Sequence, residues 1–278
     1  MIVLGAAALG AAIGSWQSSA GSSDAASRLV LQGLDAARAA GSFHYVSTSV
    51  ASSMTQVTVG DAGATEGRQD ITIGPSSFIV LVVGQTAYLR GDASALEHNL
   101  LVPSSVASAH VQQWISLVQS DYPWASVYAA VKTSDALKDN LTFTPRSVLA
   151  PETLAGQQVV GIQGPVSGSE AQGVQGTATL YLQAGGRHLP VRFVERGTVT
   201  GTGNSGSGNS GTGNTGAGNS GRGNTGGGST TTSVRFRIDF SAWGEPVHVA
   251  VPSSAVSFAS LGVPGAGPPR STPSTVLT

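Results

Sequence analysis

The sequence predicts an α+β fold, in which short helices pack across a broad antiparallel β-sheet. The first supporting observation is the stretch 177–195, where Leu180 and Leu182 alternate with polar residues before a turn at Gly185–Gly186. The chain then returns in a second alternating segment that contains Phe193, which is the pattern of a β-hairpin. Alternation with a period of two gives a strand one apolar and one polar face.

The second observation is a stretch of the same plan at 233–251. Apolar residues alternate with polar ones from Val234 to Phe240, a turn follows at 243–246, and three alternating valines come after this turn. The stretch therefore predicts a second hairpin. Two such meanders in succession favour one antiparallel sheet with an apolar face and a solvated face.

Composition argues against several classes of function. Charged residues make up 10% of the 278 residues and the net charge is −1, so no basic surface for nucleic acid is indicated. The chain has no cysteine, which excludes disulfides, thiolate catalysis and cysteine-ligated zinc. Its length is sufficient to bury a hydrophobic core.

The N-terminal residues have the character of an export signal. Residues 1–13 are small and apolar, and they are too few to span a hydrocarbon core of about 30 Å as a helix. Their length matches the apolar core of a secretory signal, and Ser18-x-Ala20 offers a small-residue cleavage site. We predict that residues 1–23 form an export or membrane-anchor segment with a linker. The alternative is a buried or frayed terminal segment.

A helix and a run of strands follow the linker. Apolar residues at near-helical spacing predict a helix over 25–40, with Gly41 as its C-terminal stop. Turn residues then separate successive strands. The predicted strands are 43–50, 54–59, 68–73, 78–83 and 86–90. The strand 78–83 is apolar on both faces, which indicates that helices, core or a cavity cover it on both sides.

The period of the pattern changes between residues 93 and 141. Val111, Trp114, Ile115 and Val118 form one helical stripe, which ends at Pro123–Trp124. Short helices are predicted after this break and are expected to pack across the sheet. Strands resume at 141–144 and over 153–163. The last residues, 262–278, are rich in Pro, Gly, Ser and Thr and are predicted to form a disordered tail.

Residues 201–230 form a Gly/Asn/Ser/Thr pentapeptide array. Each unit matches the dinucleotide fingerprint G-x-G-x-x-G, which has meaning only after a buried strand and at the start of a helix. Nothing between Gly201 and Ser229 could form that helix or bury an apolar face, so the match is a product of the repeat. The array replaces a hairpin connection between Glu195 and Val234. Lengthening a loop costs only about 0.6 kcal/mol per doubling, so the sheet tolerates such an insertion. We interpret residues 24–261 as a single domain that carries this insertion.

No motif in the sequence indicates catalysis or metal binding. The five histidines lack the spacing of a metal site, G-x-S-x-G is absent, and the acidic residues are scattered. We therefore predict that the protein is not an enzyme and has no cofactor. The aromatic residues allow two interpretations, namely ordinary core packing or a sheet that curves around an apolar cavity.

Several segments together resemble the LolA/LppX-like actinobacterial lipoproteins, including the LprG type. They are the export segment, the short helix, the strand that begins Phe43-His-Tyr-Val-Ser, the segment Gly84–Gly91 before the helices around Trp114, and the final Phe240–Pro252. The resemblance covers Ala25 to Phe258 without the array. It implies a strongly curved antiparallel sheet, or half-barrel, whose helices close over an apolar cavity.

Members of that family are thought to carry acylated lipids or lipoglycans across the cell envelope. The chain departs from them in one respect, because it lacks the cysteine that becomes lipid-anchored after the export segment. The resemblance therefore implies an exported cell-envelope protein that binds, and transports, a lipid or acylated glycolipid. Without that cysteine, the protein is either released or held at the membrane by its uncleaved N-terminus, or it has left the carrier role. We expect a monomer with no nucleic-acid partner.

The expected cavity lining consists of large apolar side chains on the sheet and the helices. The candidates are Ile79, Leu81, Val83, Trp114, Ile115, Val118, Trp124, Tyr128, Phe193 and Phe236. The first alternative is an envelope scaffold or interaction domain with a filled core and no ligand. An enzyme is the third interpretation, and it would require histidines and carboxylates to cluster in a cleft.

Overall fold

The computed structural model describes residues 20–129, 131, 137, 143–166, 174–202 and 229–263. The apolar segment 1–13 and residues 203–228 of the array therefore lie outside the described residues, as do residues 264–278 of the predicted tail. None of the helices in the described part combines the length and the apolar character needed to span a membrane.

Short helices accompany a much larger set of strands in the described part of the chain. The helices are α1 (Ala20–Ala40), α2 (Ala93–Leu100), α3 (Ser104–Ala109) and α4 (Trp124–Ala129), and a 3-10 helix covers Phe258–Leu261. The strands are β1 (Phe43–Ala51), β2 (Met54–Ala62), β3 (Glu66–Ile73), β4 (Ser76–Val83), β5 (Thr86–Gly91), β6 (Ile115–Leu117), β7 (Ser147–Val148), β8 (Glu152–Leu154), β9 (Gln157–Pro165), β10 (Val174–Gln183), β11 (Pro190–Thr202), β12 (Ser229–Ser241) and β13 (Val256–Ser257).

These strands form one open sheet in the order β13-β6-β5-β4-β3-β2-β1-β12-β11-β10-β9-β7, and β8 pairs with β9 outside this path. All pairs are antiparallel except β13 with β6. The strands at the two ends do not pair with each other, so the sheet is not closed into a barrel. The predicted fold class, an antiparallel sheet with short helices packed across it, is confirmed.

The register shows which residues share a face. Directly opposite residues of antiparallel strands point to the same side of the sheet. One such row crosses β4, β3, β2, β1 and β12 and consists of Val80, Gln69, Gly60, Tyr45 and Phe240. We call the side of the sheet that carries this row the inner face and the opposite side the outer face.

Helix α1 packs on the inner face over β7, β9 and β11. The approach is close, because a Cβ added at Gly33 would lie 2.8 Å from Leu182 Cδ2. Gly41 ends the helix at a φ of +78°, the left-handed conformation that glycine adopts without steric cost. The helix begins at Ala20, five residues before its predicted start, and so includes the last residues of the predicted linker.

Asp92 joins helix α2 to strand β4. Its carboxylate caps the helix by accepting the amide of Ala95 at 2.8 Å, and it also accepts the amide of Ser77 and the hydroxyl of Ser76. Burial alone would raise the pKa of Asp92, but these hydrogen bonds outweigh it, and the pKa lies below its ordinary value. The cap thereby fixes the position at which α2 crosses the inner face.

Two expectations about local structure are wrong. The helix predicted over 111–118 is absent, because Ile115 and Leu117 are buried, flank Ser116 and pair with β5 as strand β6. The second hairpin is also absent, because β1 and β11 already occupy the two edges of β12 and leave no edge for residues 247–251. Instead, the Val249 amide donates to the Glu66 carboxylate at 2.9 Å.

The first hairpin and the connection through the array follow the sequence pattern. Strands β10 and β11 pair so that Leu180 lies opposite Phe193 on the inner face. Strands β11 and β12 pair antiparallel, and their ladder extends into both ends of the array, where Thr202 lies opposite Ser229. The array therefore links two neighbouring strands of the sheet.

Candidate functional site

Buried apolar side chains form two separate clusters, which we call cluster I and cluster II. Cluster I lies on β3–β6 beneath α2 and α3, and cluster II lies on β1 and β9–β12 beneath α1. The largest fully buried members of cluster I are Leu89, Leu96, Leu100, Ile115, Leu117 and Phe258. Those of cluster II are Phe43, Ile162, Leu180, Leu182, Phe193 and Ile238.

Small and polar side chains separate the two clusters on the inner face. We call this region the middle strip and define it by Ser47, Ser49, Gln56 and Thr58 of β1 and β2. Within the strip, Ser47 lies opposite Thr58 and Ser49 opposite Gln56. On the side of β12, Ser47 lies opposite Ile238, which is buried in cluster II. Ser49 lies opposite Phe236, which packs against that cluster. The strip thus lacks the large apolar groups that join a sheet to its covering layer.

The chain passes from cluster I to cluster II between Val131 and Phe143. Val131 is buried in cluster I, whereas Leu137 and Phe143 are buried in cluster II. Val131 lies directly over β3, because a Cβ added at Gly67 would be 2.6 Å from its side chain.

A buried polar pair lies between the clusters beside the middle strip. The Gln69 side-chain amide donates to the Tyr45 hydroxyl. Burial raises the pKa of Tyr45 well above its usual value, although the hydrogen bond from Gln69 opposes this effect. The Tyr45 ring covers β2, since a Cβ added at Gly60 would lie 2.6 Å from it. This part of the inner face is therefore filled by the chain itself.

Glu195 is an acidic residue of β11 on the inner face, in the same row as Ser49 of the middle strip. It lies opposite Phe236 of β12 and Ala178 of β10, so its neighbours in the row are apolar. Burial raises the pKa of Glu195, and within the described residues its carboxyl group has no hydrogen-bond or ion-pair partner. Glu195 was not among the candidate site residues, although its alternation with Phe193 in the sequence indicates that the two residues share a face.

The ten candidate lining residues do not lie in one place. Ile115 is buried in cluster I, and Trp124 and Tyr128 pack against that cluster with their rings stacked at 4.3 Å. Phe193 is buried in cluster II, and Phe236 packs against it. These five residues belong to the two apolar layers of the inner face.

The other five candidates lie away from these layers. Three residues of β4 alternate with the cluster I residues Phe78, Val80 and Val82, and therefore lie on the outer face; they are Ile79, Leu81 and Val83. Trp114 lies beneath the Arg90 guanidinium, whose carbon is 4.7 Å from the ring centre. Val118 is 48% exposed. The lining role of all ten residues stays a prediction.

Two depressions on the described part are open to solvent. The first has a volume of about 420 Å³ and is lined by residues of β1, β12 and the β1–β2 turn, namely Val50, Ser52, Thr231, Thr232, Ser233 and Arg235. The second, of about 190 Å³, lies where β3, β4 and β5 end and includes Ile79 and Arg90. Neither depression is an enclosed apolar cavity between the two clusters.

The described residues contain no group of three or more metal-ligating side chains. His44 pairs instead with its cross-strand neighbour Asp61, with 2.8 Å between the His44 Nδ1 and the carboxylate. This pair lies on the outer face, where it is part of the solvated side of the sheet.

Comparisons with known proteins find similarity among solved structures alone. No family model matches the chain, and no curated protein matches it. Among solved structures, the chain is similar to the lipoprotein LppX from Mycobacterium tuberculosis, with 15% identity over 82% of this chain and 99% of that chain and a TM-score of 0.45. It is also similar to LprF from Mycobacterium bovis, with 12% identity over 84% of this chain and 99% of that chain and a TM-score of 0.46.

A third similar structure is a putative outer membrane lipoprotein-sorting protein domain from Vibrio parahaemolyticus. It shares 7% identity over 79% of this chain and 92% of that chain, with a TM-score of 0.29. One of the three structures, LppX, bears the name of the family that the sequence resembles. The antiparallel sheet with short helices that the sequence resemblance implies is the architecture that the strand order shows.

Proposed function

We propose that the protein is a non-enzymatic cell-envelope protein that binds a lipid or acylated glycolipid on the inner face of its sheet. The observation that carries this proposal is the division of the buried apolar residues into two clusters on one face. A single domain usually has one contiguous core. Here, small and polar side chains of β1 and β2 separate the two clusters.

An acyl chain complements this arrangement. It would lie along the middle strip and would contact the apolar residues at the border of each cluster. Burying a methylene group contributes about 0.8 kcal/mol, so ten of them would contribute about 8 kcal/mol before the cost of ordering the ligand. Affinity of this origin needs no charged anchor, in agreement with the low charge content of the chain.

The polar part of the ligand would lie near Glu195. This carboxyl group is half-buried beside Phe236, burial raises its pKa, and it can accept a hydrogen bond from a ligand hydroxyl. The hydroxyl of Ser49 lies in the same row across β12. Such groups suit the hydroxyl or ester oxygens of an acylated headgroup better than a phosphate, which would bring a negative charge next to an acidic side chain.

We retain the ten candidate residues as the proposed lining, and the inner-face members come first in any test. These are Ile115, Trp124, Tyr128, Phe193 and Phe236. Export, transport of the ligand and membrane association through the N-terminus are also part of the proposal. They are supported by the apolar residues 1–13 and by the family resemblance, not by the described part of the fold.

A scaffold with a filled core is the second candidate function. It is favoured by Tyr45, whose ring covers Gly60, and by Val131, which covers Gly67. Both residues occupy space that a ligand would otherwise use. Under this interpretation the two clusters are simply the two ends of a wide core, and the protein acts through its surfaces.

The deciding experiment is mass spectrometry of organic extracts from protein purified out of an actinobacterial host. We expect a stoichiometric acylated species that is lost when the protein is denatured before extraction. Repeated absence of such a species from folded protein would reject the lipid-binding proposal and leave the scaffold.

A matched pair of variants links the extracted species to the middle strip. Ser47→Phe places an aromatic ring on the inner face, whereas Thr48→Phe places the same ring on the outer face one residue later. We expect Ser47→Phe to fold and to lose the lipid, and Thr48→Phe to retain it. If the core is filled, Ser47→Phe would instead destabilise the protein by about 1–3 kcal/mol through overpacking.

A further inference from the structure

The outer face of β11 and β12 carries four arginines on neighbouring strands. They are Arg192 and Arg196 of β11 and Arg235 and Arg237 of β12, which we call the arginine patch. The entire chain has 14 basic and 15 acidic residues, so the concentration of four arginines here does not follow from its composition. The chain therefore has a local basic surface although its net charge is −1.

Acidic residues neutralise only part of the patch. Asp239 accepts Nε of Arg192 at 2.5 Å and Nε of Arg237 at 2.7 Å. Glu152 lies beyond Arg192, where it interacts with Tyr181. Four arginines against Asp239 and Glu152 leave a surplus of two positive charges.

The surplus lies on Arg196 and Arg235. These residues are directly opposite each other in the β11–β12 ladder, both are exposed, and neither has an ion-pair partner within the described residues. Like charges directly opposite in a sheet are destabilising. An external anion bound between the two guanidinium groups would remove this repulsion.

Hydroxyl donors surround the end of the patch. The open depression of about 420 Å³ is lined by Arg235, Val50 and four hydroxyl-bearing residues, and it has no acidic residue; the four are Ser52, Thr231, Thr232 and Ser233. Guanidinium and hydroxyl groups are the donors that bind phosphate oxygens most readily. The chemistry of the depression thus suits the phosphate of a headgroup.

Exposed apolar residues lie beside the arginines. On the outer face, Val46 lies opposite Asp239 on one side and opposite Val59 on the other, and these two valines are 37% and 39% exposed. A surface that combines basic and apolar side chains is typical of proteins that bind the interface of an anionic bilayer. A dissolved anion would need only the basic part.

We propose that the outer face of β11, β12 and β1 docks onto an anionic phospholipid bilayer. Headgroup phosphates bind between Arg196 and Arg235, and the exposed valines contact the interfacial region. This docking site is on the side of the sheet opposite the proposed ligand site, so it does not depend on lipid loading. The bilayer would face one side of the sheet while the other remains covered by the helices.

Vesicle flotation with the full chain tests the proposal. The vesicles contain phosphatidylcholine alone or with about one third phosphatidylglycerol, in buffer of about 0.1 M salt, near physiological ionic strength. We expect binding to the anionic vesicles and little to the neutral ones, with neutral binding reporting any contribution of residues 1–13. Equal binding to both vesicles, or none to either, would overturn the proposal.

The double variant Arg196→Gln/Arg235→Gln is compared with Arg28→Gln/Arg38→Gln, which removes the same charge from exposed positions of α1. Each basic residue near an anionic surface contributes about 1 kcal/mol, so the patch variant should lose about 30-fold in partitioning and the control much less. An equal loss in both variants would show general charge attraction without a specific site and would reject the proposal.

Competition with inorganic phosphate is a second test. Complete displacement of the wild type from vesicles by millimolar inorganic phosphate would reject the proposal in favour of a soluble-anion site. Protein stripped of lipid should dock as well as loaded protein.

Discussion

The two faces of the sheet are made from alternate residues of the same strands, yet their side chains have different surroundings and different expected roles. In β11, Phe193 is fully buried in cluster II, whereas Arg192 and Arg196 lie on the solvated outer face. Substitution on the inner face should therefore change the stability of the fold. Substitution on the outer face should mainly change what the protein binds, and this contrast can be tested residue by residue.

The largest effect is expected at Phe193. Phe193→Ala removes a fully buried aromatic ring that contacts Phe143 and Phe236, so the free energy of unfolding should fall by about 3–5 kcal/mol. Val194→Ala, one residue later on the outer face, should cost less than about 1.5 kcal/mol. Urea unfolding of both variants measures the contrast. Similar losses would show that the outer face is also packed.

A smaller effect is expected at the cap of α2. Asp92→Asn keeps one of the two side-chain oxygens that accept the amides of Ala95 and Ser77, so the free energy of unfolding at pH 7 should fall by about 1 kcal/mol. The pKa of Asp92 is lowered in the folded state, so its contribution is present above the unfolded pKa and is lost as the pH falls through the folded pKa.

The variant should therefore approach the wild type in stability under acid conditions. Thermal unfolding between pH 2 and pH 7 measures this. Asp35→Asn is the control, since that exposed aspartate pairs with Arg38 on the surface of α1. A pH-independent loss at Asp92 would show that the shape of the side chain, and not its charge, determines the cap.

Much of the fold could be predicted because alternation is a local signal. The strands from β1 to β5 and the β10–β11 hairpin follow from it directly. Residues 111–118 could not be assigned correctly, because their apolar spacing fits a helix and a strand of three residues is too short to show a period of two. The hairpin expected at 247–251 failed for another reason, since the sequence does not reveal that both edges of β12 are occupied.

The site was harder to predict than the fold. The strand 78–83 is apolar on both faces, so nothing in the sequence determines which of its residues point inward. The arginine patch has a visible signal in each strand, because its arginines recur at alternating positions. Their convergence depends on the pairing of β11 with β12 across the array, which only the register shows.

Glu195 is the acidic exception to the apolar inner face, and its effect on stability should be small and dependent on pH. Burial raises its pKa, so the folded state retains the proton longer than the unfolded chain, and stability falls as the pH rises from the unfolded pKa towards the folded one. The stability of Glu195→Gln should match that of the wild type at acid pH and exceed it at pH 7. Thermal unfolding across this range, with the exposed Glu245→Gln as the control for charge removal, measures the difference. Equal stabilisation at every pH would contradict the burial of the carboxyl group.

The smallest effect on stability is expected at Val118, which makes this residue the cleanest test of the proposed lining. Its side chain is 48% exposed, so Val118→Gln should change the free energy of unfolding by less than about 0.5 kcal/mol. Glutamine is preferable to aspartate, because the Val118 amide donates to the Asp121 carboxylate at 2.8 Å and a second acid would repel it. Val111→Gln is the matched control, since Val111 is 41% exposed and outside the proposed lining.

A loss of extracted lipid from the Val118 variant alone would assign this residue to the ligand site, because the fold of the variant is unchanged. Equal lipid in both variants would remove Val118 from the lining, and the next tests would fall on the candidates in the two clusters, where a loss of binding must be separated from a loss of stability.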